Sequence, residues 1–107
     1  MPALAALRIS SMSTVHILYT ELEVHIPYSG SLKEKRRVVN RLRDRARQQF
    51  NLSLAEVGYL EEWQRAGIAI VMLGNERPGL ERQLSQLESY LGEVVDAELV
   101  WLGRQWL

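Results

Sequence analysis

The chain has 107 residues, and its thirteen basic and thirteen acidic side chains cancel to a formal net charge of zero. A composition of 47% hydrophobic and 24% charged residues is that of an ordinary globular protein, which excludes a disordered or collagen-like chain, and the length suits one domain. The absence of cysteine excludes disulfides, iron–sulfur clusters, thiolate zinc sites and cysteine nucleophiles. The apolar runs are too short to cross a bilayer, so we expect a cytoplasmic protein with no membrane partner.

Residues 1–13 differ in character from the rest of the chain, which we predict to be a single domain over residues 14–107. The positive charge of Arg8 follows the apolar stretch Met1–Leu7, whereas a secretory signal carries its positive charge first. Chain termini are often poorly ordered, so residues 1–13 are predicted to be a flexible extension. A second interpretation is that Met12 is the physiological start of the protein.

Strand and helix patterns alternate along the predicted domain. Val15, Ile17 and Tyr19 fall on one face of the first strand and Leu22 and Val24 on the other, so this strand is apolar on both sides over part of its length. The third strand is an almost unbroken apolar run, which is typical of a central position in a sheet. We predict strands over Thr14–Ile26, Leu52–Leu60, Trp63–Leu73 and Val94–Leu102, and helices over Ser31–Gln49 and from about Pro78 to Gly92.

The ends of both helices carry recognisable signals. Ser31 and Glu34 fit a capping box, in which the Ser31 hydroxyl accepts from the Glu34 N–H and the Glu34 carboxylate reaches back. Asn51 can end the first helix in a left-handed conformation, and Gly92 is predicted to end the second. Residues 103–107 are predicted to form a tail after the last strand.

The element order β-α-β-β-α-β predicts an α+β ferredoxin-like fold, with a four-stranded antiparallel sheet and both helices on one of its faces. We expect the first and third strands to be central and parallel to each other. The uncovered sheet face would carry Val15, Ile17 and Tyr19, an apolar patch of a kind that usually marks an interface. A homodimer packed through this face or through the sheet edge is therefore predicted. The competing interpretation is that residues 1–13 or the Trp106 tail cover the patch.

Charge is distributed unevenly along the chain. The segment Ser31–Gln49 contains eight basic and two acidic residues, a net charge of +6, while the remaining residues contain five basic and eleven acidic ones, a net charge of −6. Lysine and arginine clustered on one helix are typical of proteins that neutralise phosphates, so the first helix is a candidate RNA-binding element. The alternative is a solvated helix whose arginines pair with acidic residues of the same chain.

Five basic side chains of this helix are candidate contacts to RNA phosphates. They are Lys33, Lys35, Arg36, Arg43 and Arg47. Free backbone N–H groups at the helix N-terminus favour an anion, which makes Ser31 and Lys33 a second candidate site. Lys35 differs from the others because it lies close to the apolar stripe, where it could snorkel past the sheet edge or place its charge at the mouth of a small pocket.

No arrangement for catalysis or metal binding emerges from the residue pattern. His16 and His25 differ in strand parity, so a regular strand points them to opposite faces, which disfavours a shared metal. The phosphate-loop and nucleophile-elbow patterns are missing, and the aromatic residues do not form the base-stacking pattern of RNA-recognition motifs. We therefore predict no catalytic residue, no cofactor and no metal, and an enzymatic role stays an open alternative.

Four segments of the chain together carry a family resemblance. They are His25-Ile26-Pro27, Ser31-Leu32-Lys33-Glu34-Lys35-Arg36-Arg37-Val38-Val39, Phe50-Asn51-Leu52-Ser53-Leu54-Ala55-Glu56-Val57 and Trp63-Gln64-Arg65-Ala66. With these segments in this order, the chain resembles the YlxP-like family of small bacterial proteins from about Val15 to about Val100. The resemblance implies a ferredoxin-like domain of unknown function, whose genes often lie beside those of translation and ribosome-maturation factors.

The charge pattern and the resemblance together predict a non-catalytic binding module that associates with RNA or the translation machinery through its basic first helix. The alternative hypothesis is a homodimeric structural or interaction domain with no nucleic-acid role. The two hypotheses use different surfaces, the first helix in one case and the uncovered sheet face in the other.

Overall fold

The computed structural model describes residues 14–107, so the prediction for residues 1–13 lies outside the described residues. The elements follow one another in the predicted order β-α-β-β-α-β. Their bounds are β1 His16–His25, α1 Leu32–Gln49, β2 Ser53–Gly58, β3 Arg65–Gly74, α2 Arg77–Val94 and β4 Glu98–Trp106. Within the described range, neither helix is long and apolar enough to cross a membrane.

The four strands form one sheet in the order β2-β3-β1-β4, and every neighbouring pair is antiparallel. This arrangement confirms the ferredoxin-like α+β class and the central position of β1 and β3. The prediction that β1 and β3 run parallel is wrong, since their register pairs His16 with Gly74 and His25 with Arg65. The reason is that the β2–β3 hairpin reverses the chain. Because the crossover through α1 makes β1 and β2 parallel, β3 must oppose both.

Both helices cover the same face of the sheet, and the core lies between them. α1 contributes Val39, Leu42 and Ala46, and alternate residues of each central strand point toward the helices, as expected for a sheet covered on one side. The buried apolar residues of the other elements are Leu18, Leu22, Val24, Leu54, Ala66, Ile68, Ile70, Met72, Leu80, Leu84, Leu87 and Leu91.

The opposite side of the sheet, which we call the open face, is covered by neither helix. Its apolar side chains alternate with the buried ones along the strands, and in β1 they include the predicted Ile17 and Tyr19. The others are Ala55 and Val57 in β2, Ala69, Val71 and Leu73 in β3 and Val100 and Leu102 in β4. Placing Ile17 and Tyr19 on this face agrees with the sequence pattern, whereas Val15 is exposed just before β1 begins. The homodimer stays a prediction.

The exit from α1 differs from the predicted left-handed stop. Phe50 is the C-cap and is extended, with φ −135° and ψ 148°. Among residues 14–107, Tyr59 is the only non-glycine residue with a positive φ, so the prediction for Asn51 is wrong. The chain leaves the helix already extended because β2 begins at Ser53.

The boundary between α2 and the last strand also differs from the prediction. α2 continues through Gly92 to Val94, because Leu91 still packs in the core and its carbonyl accepts from the Val95 N–H at 3.0 Å. Gly92 therefore does not end the helix, and β4 begins at Glu98 instead of Val94.

The predicted C-terminal tail belongs to β4. Gly103 pairs with Glu21 and Trp106 with Leu18 of β1, after a register shift that lies opposite Glu21 and Leu22. Gly103 has a φ of 134°, a backbone conformation that glycine adopts without strain and that lets the strand continue past the irregularity. Trp106 packs against the core, so the interpretation that it covers the open face is wrong.

Replacing Gly67 by Ala is expected to destabilise the fold by about 1–3 kcal/mol, the usual cost of overpacking a filled space. Gly67 lies opposite Gly58, and a Cβ added to Gly67 would come to 3.0 Å from the Gly58 Cα, which is backbone. Gly92→Ala is the matched control, since a Cβ there meets nothing within 4 Å and alanine favours a helix by up to about 1 kcal/mol. Urea denaturation measures both variants, and a G67A midpoint equal to that of the wild type would contradict the close approach.

Candidate nucleic-acid interface

The N-terminus of α1 is closed by the chain's own side chains. Ser31 is the N-cap, and its Oγ accepts from the Glu34 N–H at 3.0 Å. The Glu34 carboxylate accepts in turn from the Gly30 N–H at 2.8 Å, which confirms the predicted capping box. Because the chain places its own carboxylate at this positive helix end, the contacts argue against the predicted anion site at Ser31 and Lys33.

Lys35 is the only buried charged side chain among residues 14–107, with 1% of its surface exposed. Its Nζ donates to the carbonyl oxygens of Tyr59, Leu60 and Arg65 at 2.9, 3.3 and 3.4 Å. Glu56 Oε2 lies 2.9 Å from the same Nζ and balances its charge. With three carbonyls and one carboxylate around it, the buried ammonium group has an acceptor for each of its three protons.

Lys35 is therefore not an RNA contact, and this part of the sequence-based prediction is wrong. Lys35 lies one turn before Val39 on the buried face of α1, so its side chain starts among core residues. The alternative that it snorkels past the sheet edge is wrong as well, because Nζ ends on the backbone of the hairpin between β2 and β3. What Lys35 does is fix that hairpin to the first helix.

The hairpin that Lys35 holds contains an unusual backbone conformation. Tyr59 has a φ of 56°, which is uncommon for a residue other than glycine. The Arg65 Cζ lies 3.7 Å from the centroid of the Tyr59 ring, and the Tyr59 hydroxyl donates to Glu23 Oε2 at 3.3 Å. Arg65 Nε donates to both oxygens of Glu62 at 3.1 Å, and this hydrogen bonding raises the pKa of the guanidinium.

Gln64 ties the hairpin to the turn between β1 and α1, a role that the sequence analysis missed. Its side-chain Nε2 donates to the carbonyls of Pro27 and Ser29 at 3.0 and 3.3 Å, and its backbone carbonyl accepts from the Ile26 N–H at 2.8 Å. Together with the contacts of Lys35 and Glu56, these bonds link residues of all four family-like segments at the hairpin end of the molecule. The signal that the sequence offered for Gln64 is its place in the Trp63-Gln64-Arg65-Ala66 segment.

Five basic side chains of α1 are exposed to solvent, and we call them the basic face. They are Lys33, Arg36, Arg37, Arg41 and Arg47. None of the five forms an ion pair with an acidic side chain of residues 14–107. Arg41 Nε donates to the Val94 carbonyl at 3.4 Å, and Arg47 donates to the Leu54 carbonyl at 3.5 Å. Of the ion pairs expected in the alternative of a solvated helix, the structure forms that of Arg43 with Asp44 and none with the five residues of the basic face.

Arg43 lies at the margin of the basic face. It is half-buried, and its Nε lies 3.5 Å from Asp44 Oδ1. With Lys35 buried and Arg43 at the margin, three of the five predicted phosphate contacts belong to the basic face. Arg37 and Arg41 join those three.

The two histidines of the described chain lie in separate environments. His16 Nδ1 accepts from Arg77 Nε at 3.4 Å, and its ring lies edge-on to Trp106 with the centroids 6.2 Å apart. His25 Nε2 lies 3.0 Å from Glu23 Oε1. Over residues 14–107, no three acidic or histidine side chains are grouped as metal ligands would be.

Residues 17–102 match the sequence profile of the family described as "Protein of unknown function (DUF503)". The chain belongs to this family. The match covers α1 and its basic face, the hairpin and the turn that Gln64 holds. The chain is also 32% identical over 88 residues to "Uncharacterized protein YlxP" of Bacillus subtilis (strain 168), which is 82% of this chain and 96% of that protein. These matches confirm the YlxP-like resemblance.

Two solved structures resemble this DUF503 member in fold. The de novo designed protein Foldit4 is 8% identical with a TM-score of 0.51, over 87% of this chain and 96% of the designed one. A C-terminal segment of the alpha subunit of aIF2 from Pyrococcus abyssi is 17% identical with a TM-score of 0.54, over 87% of this chain. The match spans about half of that segment, 52% of its length. At these identities the likeness concerns the fold alone.

Replacing Lys35 by Met is expected to destabilise the protein by about 3 kcal/mol. Methionine keeps the apolar stem but leaves three backbone carbonyls and the Glu56 carboxylate without their cation. Lys33→Met is the matched control, because Lys33 is exposed on the same helix and such substitutions change stability by at most about 0.5 kcal/mol. Urea denaturation compares the two, and a K35M protein as stable as K33M would mean that the hairpin does not depend on the buried cation.

Proposed function

We propose that the protein is a non-catalytic RNA-binding module whose basic face binds phosphates of an RNA of the translation machinery. The observation that carries this proposal is the exposure of five basic side chains on one helix, without acidic partners in residues 14–107. Cations that are not already neutralised within the chain are free to replace the counterions of a nucleic acid. The gene neighbourhood implied by the YlxP-like resemblance favours the translation machinery as the source of that RNA.

The segregation of charge supports the proposal despite the zero net charge. The segment Ser31–Gln49 carries a net charge of +6 and the remainder −6, so α1 has a local positive field that the total hides. At a rise of about 1.5 Å per residue, the basic face from Lys33 to Arg47 is about 21 Å long, enough to meet several phosphates. Four of its five members are arginines, which can hold a phosphate through two parallel hydrogen bonds.

The open face is a poorer surface for RNA. Glu21 and Glu23 of β1 lie on it and would repel phosphates. Tyr19 is the only phenylalanine, tyrosine or tryptophan that β1 and β3 place there, whereas RNA-recognition motifs stack bases on several aromatic side chains. The Tyr19 hydroxyl donates to Glu21, and this hydrogen bond raises the pKa of Tyr19. The helix side of the molecule is therefore the side proposed to bind RNA.

Replacing three members of the basic face by Gln is expected to weaken RNA binding and to flatten its salt dependence. The variant carries Lys33→Gln, Arg36→Gln and Arg47→Gln, all of exposed side chains outside the core. Each phosphate that the protein no longer neutralises lowers the slope of log affinity against log salt by about 0.7–0.9, so the slope falls by about 2 to 3. Fluorescence anisotropy with labelled RNA over a salt series measures both quantities.

The control for this variant removes the same charge from other elements. Arg77→Gln, Arg82→Gln and Arg104→Gln change α2 and β4 and leave the basic face intact. If RNA binding depends on the basic face, this second triple variant keeps the wild-type salt slope. Equal losses of affinity in both variants would mean that only total charge matters, and unchanged affinity in a folded first variant would refute the role of the basic face.

We propose a second candidate function, that of a homodimeric interaction domain, because the open face is apolar and exposed. The open face presents Leu73 with 62% and Leu102 with 52% of their surfaces exposed, next to half-buried Ile17, Tyr19 and Val71. Contiguous apolar patches of this kind are unusual on a monomer. Two copies related by a two-fold axis would bury the same patch on each chain.

Replacing Leu73 by Glu is expected to raise the dissociation constant of such a dimer at least about tenfold, since it would place a charge within an apolar contact. Leu60→Glu is the matched control, because Leu60 is 55% exposed but lies in the hairpin between β2 and β3, outside the four strands of the sheet. Sedimentation equilibrium compares both variants with the wild type. A wild-type protein that is monomeric at tens of micromolar would end the dimer proposal.

A further inference from the structure

A groove of about 500 Å³ lies between α1 and the C-terminal end of α2. Tyr28 and Asp96 line one part of it, Val38 and Val94 another, and Arg37 and Arg41 of the basic face a third. Its volume falls in the range of sites that hold small organic molecules. Both arginines of the groove belong to the basic face. A ligand bound on that face can therefore extend into the groove.

We propose that this groove holds one nucleotide of a single-stranded RNA, with the base against Tyr28, Val38 and Val94 and the phosphate on Arg37 and Arg41. The inference rests on the proposed RNA-binding function and names the form of RNA that the site takes. A base reaches such a groove only when it is unstacked from its neighbours, as in loops and single strands.

Tyr28 provides the surface on which a base stacks. It is 56% exposed, yet its hydroxyl donates to the Asp96 carbonyl, which holds the ring across the groove. Partial burial, followed by the charges of Asp96 and Glu34, raises the pKa of Tyr28 above its ordinary value. A ring held in place before binding loses little freedom when a base stacks on it.

Val38 and Val94 form an apolar wall of the groove. Both are half-buried and pack against the core, so the wall is fixed. Arg41 donates through Nε to the Val94 carbonyl at 3.4 Å, which leaves its two terminal amino groups for a phosphate. Arg37 makes no ion pair within residues 14–107. A groove lined by an aromatic ring, two valines and two arginines matches a base that is followed by its phosphate.

The carboxylates of Glu34 and Asp96 also line the groove and restrict its ligand. Two acidic groups near two basic ones disfavour a bare phosphate ion, which would gain from the arginines and lose to the carboxylates. A nucleotide can place its phosphate at the arginines and the N–H groups of its base at the carboxylates, which accept hydrogen bonds. The mixed charge of the groove thus favours a nucleotide over inorganic phosphate.

The test compares a short oligoadenylate with a duplex RNA of the same length. Tyr28→Ser is expected to lower the affinity for the oligoadenylate by roughly tenfold, the usual effect of losing one stacked base, and to leave duplex binding unchanged. Tyr28→Phe keeps the ring but loses the bond to the Asp96 carbonyl, so its affinity is expected to lie between those of the wild type and Tyr28→Ser. Trp63→Ser removes an aromatic side chain that is 53% exposed outside the groove, so it serves as the control and changes neither affinity.

The outcomes separate this proposal from the one on which it rests. If Tyr28→Ser binds oligoadenylate as the wild type does while the Lys33, Arg36 and Arg47 triple variant binds weakly, the nucleotide site is refuted and the basic face stands. If the wild type binds neither RNA at low salt, both proposals fail.

A titration of the wild-type protein covers the case in which Tyr28→Ser does not fold. Adenosine monophosphate is expected to shift the amide resonances of Tyr28, Val38 and Val94, and inorganic phosphate at the same concentration is not. Equal shifts with both ligands, or none with adenosine monophosphate, would overturn the nucleotide site.

Discussion

The ammonium group of Lys35 is buried under α1 and held by three backbone carbonyls and the Glu56 carboxylate. A buried charge is tolerated only when hydrogen bonds and an opposite charge replace the water that it has lost. The hairpin between β2 and β3 must therefore keep the position in which its carbonyls accept from Lys35 Nζ. Gln64 then connects the same hairpin to the turn before α1. One end of the molecule is in this way fixed by polar bonds, while the apolar core holds the rest.

This division leaves two surfaces of opposite character. The first helix uses its apolar stripe and Lys35 for the interior, while the five residues of the basic face are exposed to water on the helix side. The open face carries the apolar and acidic residues of the central strands. A chain with no net charge therefore offers one side suited to phosphates and another suited to an apolar partner.

Local signals predicted much of this fold. The Ser31 capping box, the strand alternation that places Ile17 and Tyr19 on the open face, and the element order all depend on short-range patterns, which the structure keeps. The environment of Lys35 could not be predicted in the same way, because its acceptors lie 24 to 30 residues further along the chain. The parallel assignment of β1 and β3 failed for a different reason, since it ignored the reversal that the hairpin imposes.

The central claim is that the basic face binds RNA of the translation machinery through phosphates. Co-sedimentation of the protein with ribosomal particles through gradients of low and high salt tests it most directly. The account predicts that the protein travels with the particles at low salt and is released as salt rises, because contacts that depend on counterion release weaken steeply with salt. A protein that stays at the top of the gradient at both salt concentrations would contradict the claim.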